Sequence, residues 1–385
     1  MMKRNNSIIF ILILGVFGLV NTQLGVVGIL PLIAEHYQVS ISEAGLMVSL
    51  FALSAAISAL VMPLLLSGIN RKTVMLLSLG AFVMGNIIAA FASNFMIALI
   101  AYVVPAIFHP VYCSLAFSVA ASSVSKEEAP KAVSKVFVGV SATMVIGVPI
   151  TSLIASTASL TIAMLFFTML NAITFVATLI LVPSMPVKER LTYGAQLSVL
   201  KKPVIWLSVA AVILLNGAIF GVYSYLAEFL EKITGVSGNT IGLMLMVYGV
   251  ANITGNIIVG KLLSRNATKC VMMFPFALGA VYLMLILLGR FTMPMALIIM
   301  AWGILGGFGG IIFQYWISSA AAEAPDFANG LFLSSANLGT TIATMVCGLF
   351  ISGFGIHYVV VGGVLFLVPG IIAILLRVRL APYVR

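Results

Sequence analysis

Twelve apolar runs, each long enough to cross a lipid bilayer, follow one another along this chain, and short loops between them carry most of its charge. A helix needs roughly 20 apolar residues to cross a hydrocarbon core about 30 Å thick. With that window the first half holds Ser7–Ile33, Glu43–Ile69, Val74–Ala92, Phe95–Ser122, Ala132–Ala155 and Leu160–Val182. The second half holds Val204–Leu230, Asn239–Leu263, Val271–Gly289, Pro294–Ala322, Ala328–Ile351 and Ile356–Leu376. Between them lies Pro183–Pro203, the most polar stretch, with Lys188, Glu189, Arg190, Lys201 and Lys202. The expected architecture is an all-α membrane protein of twelve transmembrane helices. Residues 1–183 form one six-helix bundle, 184–202 a cytoplasmic linker, and 203–385 a second six-helix bundle.

Composition removes the alternatives. The chain has 385 residues, of which 19 are Lys or Arg and nine Asp or Glu, so 7% are charged. A soluble domain carries roughly 25%. Soluble enzymes, nucleic-acid modules and disordered chains are excluded on that ground, and the net charge of +10 is too dispersed for a nucleic-acid footprint. Lys3 and Arg4 precede an apolar run as they would in a signal peptide, but no small-residue cleavage site follows, so this is read as the first span. Cys113, Cys270 and Cys347 all fall inside apolar runs and form no disulfide or zinc pattern.

The cations set the orientation. Seventeen of them, from Lys3 and Arg4 through Arg71, Lys72, Lys126, Lys131 and the linker to Arg377, Arg379 and Arg385, fall on one side of a twelve-span layout. Only Lys232 and Arg290 fall on the other. Cytoplasmic loops carry the excess of Lys and Arg, so both termini are expected in the cytoplasm. The halves also echo one another. Glu128-Ala129-Pro130 precedes the fifth span and Glu323-Ala324-Pro325 the eleventh, while Ala142-Thr143-Met144-Val145 recurs as Ala343-Thr344-Met345-Val346. Two six-helix halves around a midplane cavity is the plan of one class of secondary transporter.

Four stretches carry a family likeness. Gly28 to Ala34 with Val39 to Leu46, Gly147-Val-Pro149, Tyr223 to Ala227 with Thr234 to Ser237, and Ala324 to Ala328 with Asn337-Leu-Gly339 occur in order over most of the chain. Together they resemble the major facilitator superfamily, in particular its drug/proton antiporter group of arabinose-efflux-like and purine-efflux-like permeases. That resemblance implies two pseudo-symmetric six-helix halves, a plasma-membrane location and solute export in exchange for protons. The chain departs from the pattern in three places. The loop after the second span reads Ser67-Gly-Ile-Asn-Arg-Lys72 without the family's acid, the buried Arg of the fourth span is replaced by Tyr102, and His109 is followed by Pro110 rather than Gly.

Ionisable groups deep in a bilayer are costly and mark function. Here the acids sit near span ends, and only His109 lies near the middle of one, which makes it the proton-coupling candidate. The alternative for His109 is a neutral imidazole bonded to a carbonyl freed by Pro110. Neutral polar groups are commoner at mid-depth: Asn21, Thr22 and Gln23; Tyr102 and Cys113; Asn216 and Tyr223; Tyr248, Asn252 and Asn256; Trp302 and Gln314; Asn337, Thr341 and Thr344. The substrate-binding set expected from these is Asn21, Gln23, His109, Asn216, Tyr223, Trp302 and Gln314, suited to a neutral or weakly polar organic solute. The competing reading has each of them bonding helix to helix at about 0.6 kcal/mol apiece. Gly139, Gly147 and Pro149 on the fifth span, glycines 303 to 310 on the tenth, and Arg71 and Lys72 are the candidate conformational residues.

No phosphate-binding loop, metal cluster or nucleophile–base pair is present, so enzyme activity, cofactors and metals are not expected. The expected partners are a small-molecule substrate, protons and the lipid bilayer, with no nucleic acid, and the expected state is a monomer. Two rival functions remain open at this point: an uncoupled facilitator or solute-driven carrier of the same fold, and a transport-dead sensor or scaffold.

Overall fold

The computed structural model describes residues 2–125, 129–187 and 194–380. Lys126, Glu128, Lys188, Glu189, Arg190 and Arg385 lie outside the described residues, as do the side chains of Lys3, Arg4, Pro130, Lys131, Pro325 and Asp326.

Among the described residues, 11 helices are long and apolar enough to cross a membrane: Ser7–Tyr37, Ile41–Leu66, Arg71–Ala90, Phe95–Ser122, Ala132–Thr157, Leu160–Leu181, Pro203–Tyr223, Gly238–Leu288, Thr292–Ala320, Phe327–Phe354 and Ile356–Leu380. The eighth of these has 51 residues. At 1.5 Å per residue it is about 77 Å long, more than twice the roughly 30 Å of a hydrocarbon core. It bends at Asn266, whose backbone leaves the helical region (φ −156°, ψ 89°), and the Asn266 side chain caps the next turn through Lys269 N–H at 2.9 Å. Asn266 therefore divides it into an eighth and a ninth span, and the layout has twelve. The seventh span ends at Tyr223 rather than at Leu230, and is followed by short helical turns over Leu226–Phe229 and Leu230–Thr234.

Three spans are broken at mid-depth, each where proline or glycine interrupts the hydrogen-bond ladder. The first passes through a 3₁₀ turn at Val26–Ile29 ahead of Pro31, and the fourth through another at Val104–Phe108, between Pro105 and Pro110. The fifth holds a π-helical turn at Thr143–Gly147 just before Pro149. His109 thus sits at a helix break, which fixes its ring toward the bundle interior.

Spans one to six pack mainly on each other, through pairs such as one with five, one with six and three with six. Spans seven to twelve do the same through seven with eleven, seven with twelve and eight with ten. The two groups meet along two seams, the second span against the eleventh and the fifth against the eighth. Exposed apolar side chains such as Ile57, Leu65, Met84, Ile180, Leu287 and Leu349 give the bundle a lipid-facing exterior.

Candidate functional site

The bonds that close the seams gather toward one face of the bundle. On the first, Ser42 Oγ donates to the Gly348 carbonyl at 2.5 Å, Ser352 Oγ donates to Ser42 Oγ at 2.7 Å, and Thr341 Oγ1 donates to the Ser49 carbonyl at 3.2 Å. Tyr225 is wedged there: its hydroxyl donates to the Thr344 carbonyl at 3.1 Å, and a Cβ on Gly45 would lie 2.1 Å from it. On the second seam, a Cβ on Gly249 would lie 2.2 Å from the Met144 carbonyl oxygen, and Ser156 Oγ donates to Asn239 Oδ1 at 3.5 Å. All these contacts lie between mid-depth and the face opposite the basic loops. Three turns further along the eighth span toward the basic face, a Cβ on Gly260 would meet nothing within 4 Å. The seam between spans five and eight therefore parts toward the basic loops.

At the foot of the closed region, Gln23 Nε2 donates across the seam to Asn337 Oδ1 at 3.4 Å. Gln23 is held from behind, because the Tyr102 hydroxyl sits 2.9 Å from the Thr22 carbonyl and 3.1 Å from the Gln23 carbonyl, at the break in the first span. Phe51 touches the rings of both Tyr102 and His109, at centroid distances of 5.1 and 5.7 Å, and Phe82 lies 6.4 Å from His109. Among the described residues the imidazole's polar contact is Cys113 Sγ, 4.0 Å from Nε2. Among the described residues His109 has no hydrogen bond to a carbonyl.

The remaining polar groups of the first half are spent internally. Thr22 Oγ1 accepts from the amides of Asn86 at 3.3 Å and Asn171 at 3.1 Å, joining spans one, three and six. Asn21 is fully buried against Thr151 and Gly147; a Cβ on Gly147 would lie 2.2 Å from its Oδ1. In the second half, Asn216 Nδ2 donates to the Ala336 carbonyl at 2.6 Å and Thr340 Oγ1 at 3.0 Å. Tyr223, Tyr248, Tyr282 and Trp302 form one aromatic cluster across spans seven to ten, with Tyr223 and Tyr248 centroids 4.6 Å apart and both tyrosines within 6.3 Å of Trp302. Tyr223 also reaches across the seam, its hydroxyl 3.8 Å from Met144 Sδ.

The 30% identity to a curated relative over nearly the whole chain, together with a family match, decides the affiliation. The family description Major Facilitator Superfamily matches residues 8–327 and 226–384. The chain belongs to the Major Facilitator Superfamily. It is 30% identical to the uncharacterized MFS-type transporter YtbD of Bacillus subtilis (strain 168) over 94% of this chain and 93% of that one. It is 26% identical to a probable sugar efflux transporter of Helicobacter pylori (strain ATCC 700392 / 26695), over 93% of this chain and 92% of the relative. In fold it is similar to a bacterial homologue of the human lysosomal transporter Spinster, solved inward-facing and unoccupied, with a TM-score of 0.75, 16% identity and coverage of 98% and 97%.

Within this superfamily member, the seven residues expected to bind solute separate by position. Asn21, Asn216, Tyr223 and Trp302 are buried in packing, Gln23 and His109 are half-buried, and Gln314 is exposed. Gln314 continues the face of the tenth span on which Gly303 and Gly307 meet the backbone of Tyr248 and Asn252, past the point where Gly310 meets nothing within 4 Å. Asn252 and Asn256 bond one another at 3.4 Å. Gly139 lets the fifth span approach the Ile13 carbonyl, where a Cβ would lie 2.5 Å away. Gly147 and Pro149 make the π turn that carries the Met144 carbonyl against Gly249. Arg71 and Lys72 meet the start of the linker and the end of the sixth span: the Arg71 backbone N–H donates to the Met185 carbonyl at 3.1 Å, and Lys72 Nζ to the Leu179 carbonyl at 2.9 Å. Asn86, Asn171, Ser42, Ser49, Tyr225 and Gly249 escaped the sequence reading. The two asparagines each carried a signal, a lone amide inside an apolar run, whereas Gly249 carries no signal of its own.

At the closed end, Glu228 sits on the short helix Leu226–Phe229, outside the spans. Burial and the neighbouring Glu231 hold its carboxyl above the usual carboxylate range, with Lys232 pulling the other way.

Proposed function

We propose that this protein is a secondary transporter that exports a small organic solute across the bacterial plasma membrane by alternating access, in exchange for protons. The observation that carries the reading is the half-closed seam between spans five and eight, which touch from mid-depth to one face and part toward the other. Such an arrangement supports a carrier caught open to one side. The groups 1–183 and 203–385 then act as the two rocking bodies, with 184–202 as their tether. The excess of Lys and Arg on the open face supports a cytoplasmic location for that face and for both termini. Gln23, His109 and Gln314 are the solute contacts in this state, and Asn21, Asn216, Tyr223 and Trp302 set the walls behind them. The sugar efflux relative makes sugars the first solutes to test, and the outward direction follows that relative.

His109 is the proton-coupling group in this reading, because it is the titratable side chain set at the mid-depth break beside Gln23's support. A second reading, an uncoupled facilitator, is favoured by one observation: among the described residues the His109 ring meets aromatic rings and a thiol, and no acid pairs with it. Flux of radiolabelled sugars and nucleobases in proteoliposomes, with and without an imposed pH gradient, separates the two. The pH gradient is expected to accelerate flux, and His109→Ala to remove that acceleration while leaving downhill exchange. Flux indifferent to the gradient in the unmodified protein selects the facilitator, and gradient-driven flux unchanged in His109→Ala refutes the role of the histidine.

A further inference from the structure

A cavity of about 770 Å³ opens at the closed end of the seams, on the face opposite the basic loops. Its walls come from both groups of spans, with Glu35 and Ser152 from the first and Glu228, Glu231 and Lys232 from the second. Three carboxylates therefore share one ammonium. Lys232 Nζ is engaged by Glu231 Oε1 at 3.1 Å, and among the described residues neither Glu35 nor Glu228 forms an ion pair.

Ser152 points independently to a guest. It is 3% exposed and lines this cavity, and among the described residues its hydroxyl has no hydrogen-bond partner. The hydroxyl is not sealed inside the protein but reachable from the cavity, so a guest there can bond to it. The same walls also say which cation fits. Among the described residues no group of acids is gathered tightly enough to hold a metal ion, whereas the volume lies in the range of about 300–1,000 Å³ typical of organic-ligand sites. The negative charge is spread around a solute-sized space, and it belongs to both halves of the molecule.

We propose that this cavity binds a small organic cation carrying two or more amino groups, a diamine or short polyamine, whose ends are held by Glu35 on one half and Glu228 on the other, with Ser152 accepting a further ammonium hydrogen. A guest anchored on both halves stabilises the closed end, because its anchors separate when that end opens. This consequence for transport rests on the alternating-access reading; the site itself does not.

The test is a calorimetric titration of the full-length protein in phosphatidylcholine nanodiscs with spermidine, and separately with magnesium chloride at matched ionic strength. Spermidine is expected to bind saturably, with affinity falling about tenfold in Glu35→Gln and in Glu228→Gln, as for loss of a charge-assisted contact. Ser152→Ala is expected to weaken binding by a smaller factor. Lys232→Gln is expected to tighten it, since the resident competitor is gone, and a gain of affinity guards against variants that merely misfold. Absence of spermidine binding, unchanged affinity in the Glu35→Gln/Glu228→Gln double variant, or equal binding of magnesium overturns the proposal. No solute flux enters the measurement, so a failed transport reading and a failed cation site give different results.

Discussion

The two six-span groups reach the same packing problem with different chemistry. The first is stitched at mid-depth by amides and hydroxyls: Thr22 takes hydrogen bonds from Asn86 and Asn171, and Tyr102 bonds the carbonyls exposed by the break in span one. The second fills the corresponding region with Tyr223, Tyr248, Tyr282 and Trp302, and anchors Tyr282 through the Ala218 carbonyl. Polar bonds between membrane helices contribute about 0.6 kcal/mol each on average, while large aromatic side chains bring extensive dispersion contact. At these two places the first half is joined by several weak links and the second by a few large ones. A polar residue at mid-depth is accordingly no sign of a solute pocket by itself; what matters is whether its partner lies on the same half or across the seam.

The largest effect that sharpens this contrast is Trp302→Ala. Removing a fully buried indole that meets three tyrosines is expected to cost about 3–5 kcal/mol, seen as the largest fall in thermal unfolding temperature in detergent. Thr22→Val tests the other half. It leaves two buried amides short of one acceptor and is expected to cost about 1–2 kcal/mol in the same assay. A Thr22→Val loss as large as that of Trp302→Ala would break the comparison.

The smallest effect falls where the halves meet. The helix bearing Glu228 packs on Leu30–Tyr37, Leu230–Thr234 and Ile356–Tyr358, which bring Glu35, His36, Tyr37, Glu231, Lys232, His357 and Tyr358 as its titratable neighbours. Because burial in the closed end raises the Glu228 pKa, that state binds the extra proton more tightly. The closed end is expected to gain stability as pH falls through the raised value toward the ordinary carboxylate range, and to lose it as pH rises again. Label-to-label distances across the closed end, measured against pH, are expected to show this shift and to lose most of it in Glu228→Gln. An undiminished shift in that variant assigns the response to its neighbours.

Most of the architecture is legible in the sequence because hydropathy and loop charge report directly on membrane crossing. The polar run Ser264 to Lys269 even separates the eighth span from the ninth, where the structure bends at Asn266. One boundary is not legible: the buried stretch Leu226 to Leu230 continues the apolar run of the seventh span although it lies beyond it. An apolar window cannot separate burial in protein from burial in lipid. The site is less legible still. Asn21, Asn216, Tyr223 and Trp302 announce themselves by composition, yet their partners Thr151, Thr340, Met144 and Tyr248 are set by packing between distant spans. Gly249 and Gly45 matter through atoms they lack, and a sequence pattern has no way to show the backbone or ring that comes to occupy that space.

Alternating access stands or falls on whether the closed end must open. Ser42 and Ser352 face each other across it with their hydroxyl oxygens 2.7 Å apart. Cysteines at these two positions, in a chain whose Cys113, Cys270 and Cys347 are replaced by serine or alanine, can be bridged by a short bifunctional thiol reagent. Solute flux in proteoliposomes is expected to stop on bridging and to return when a reducible bridge is cut. Full flux through the bridged protein would contradict the account, because it would show solute crossing while that end stays shut.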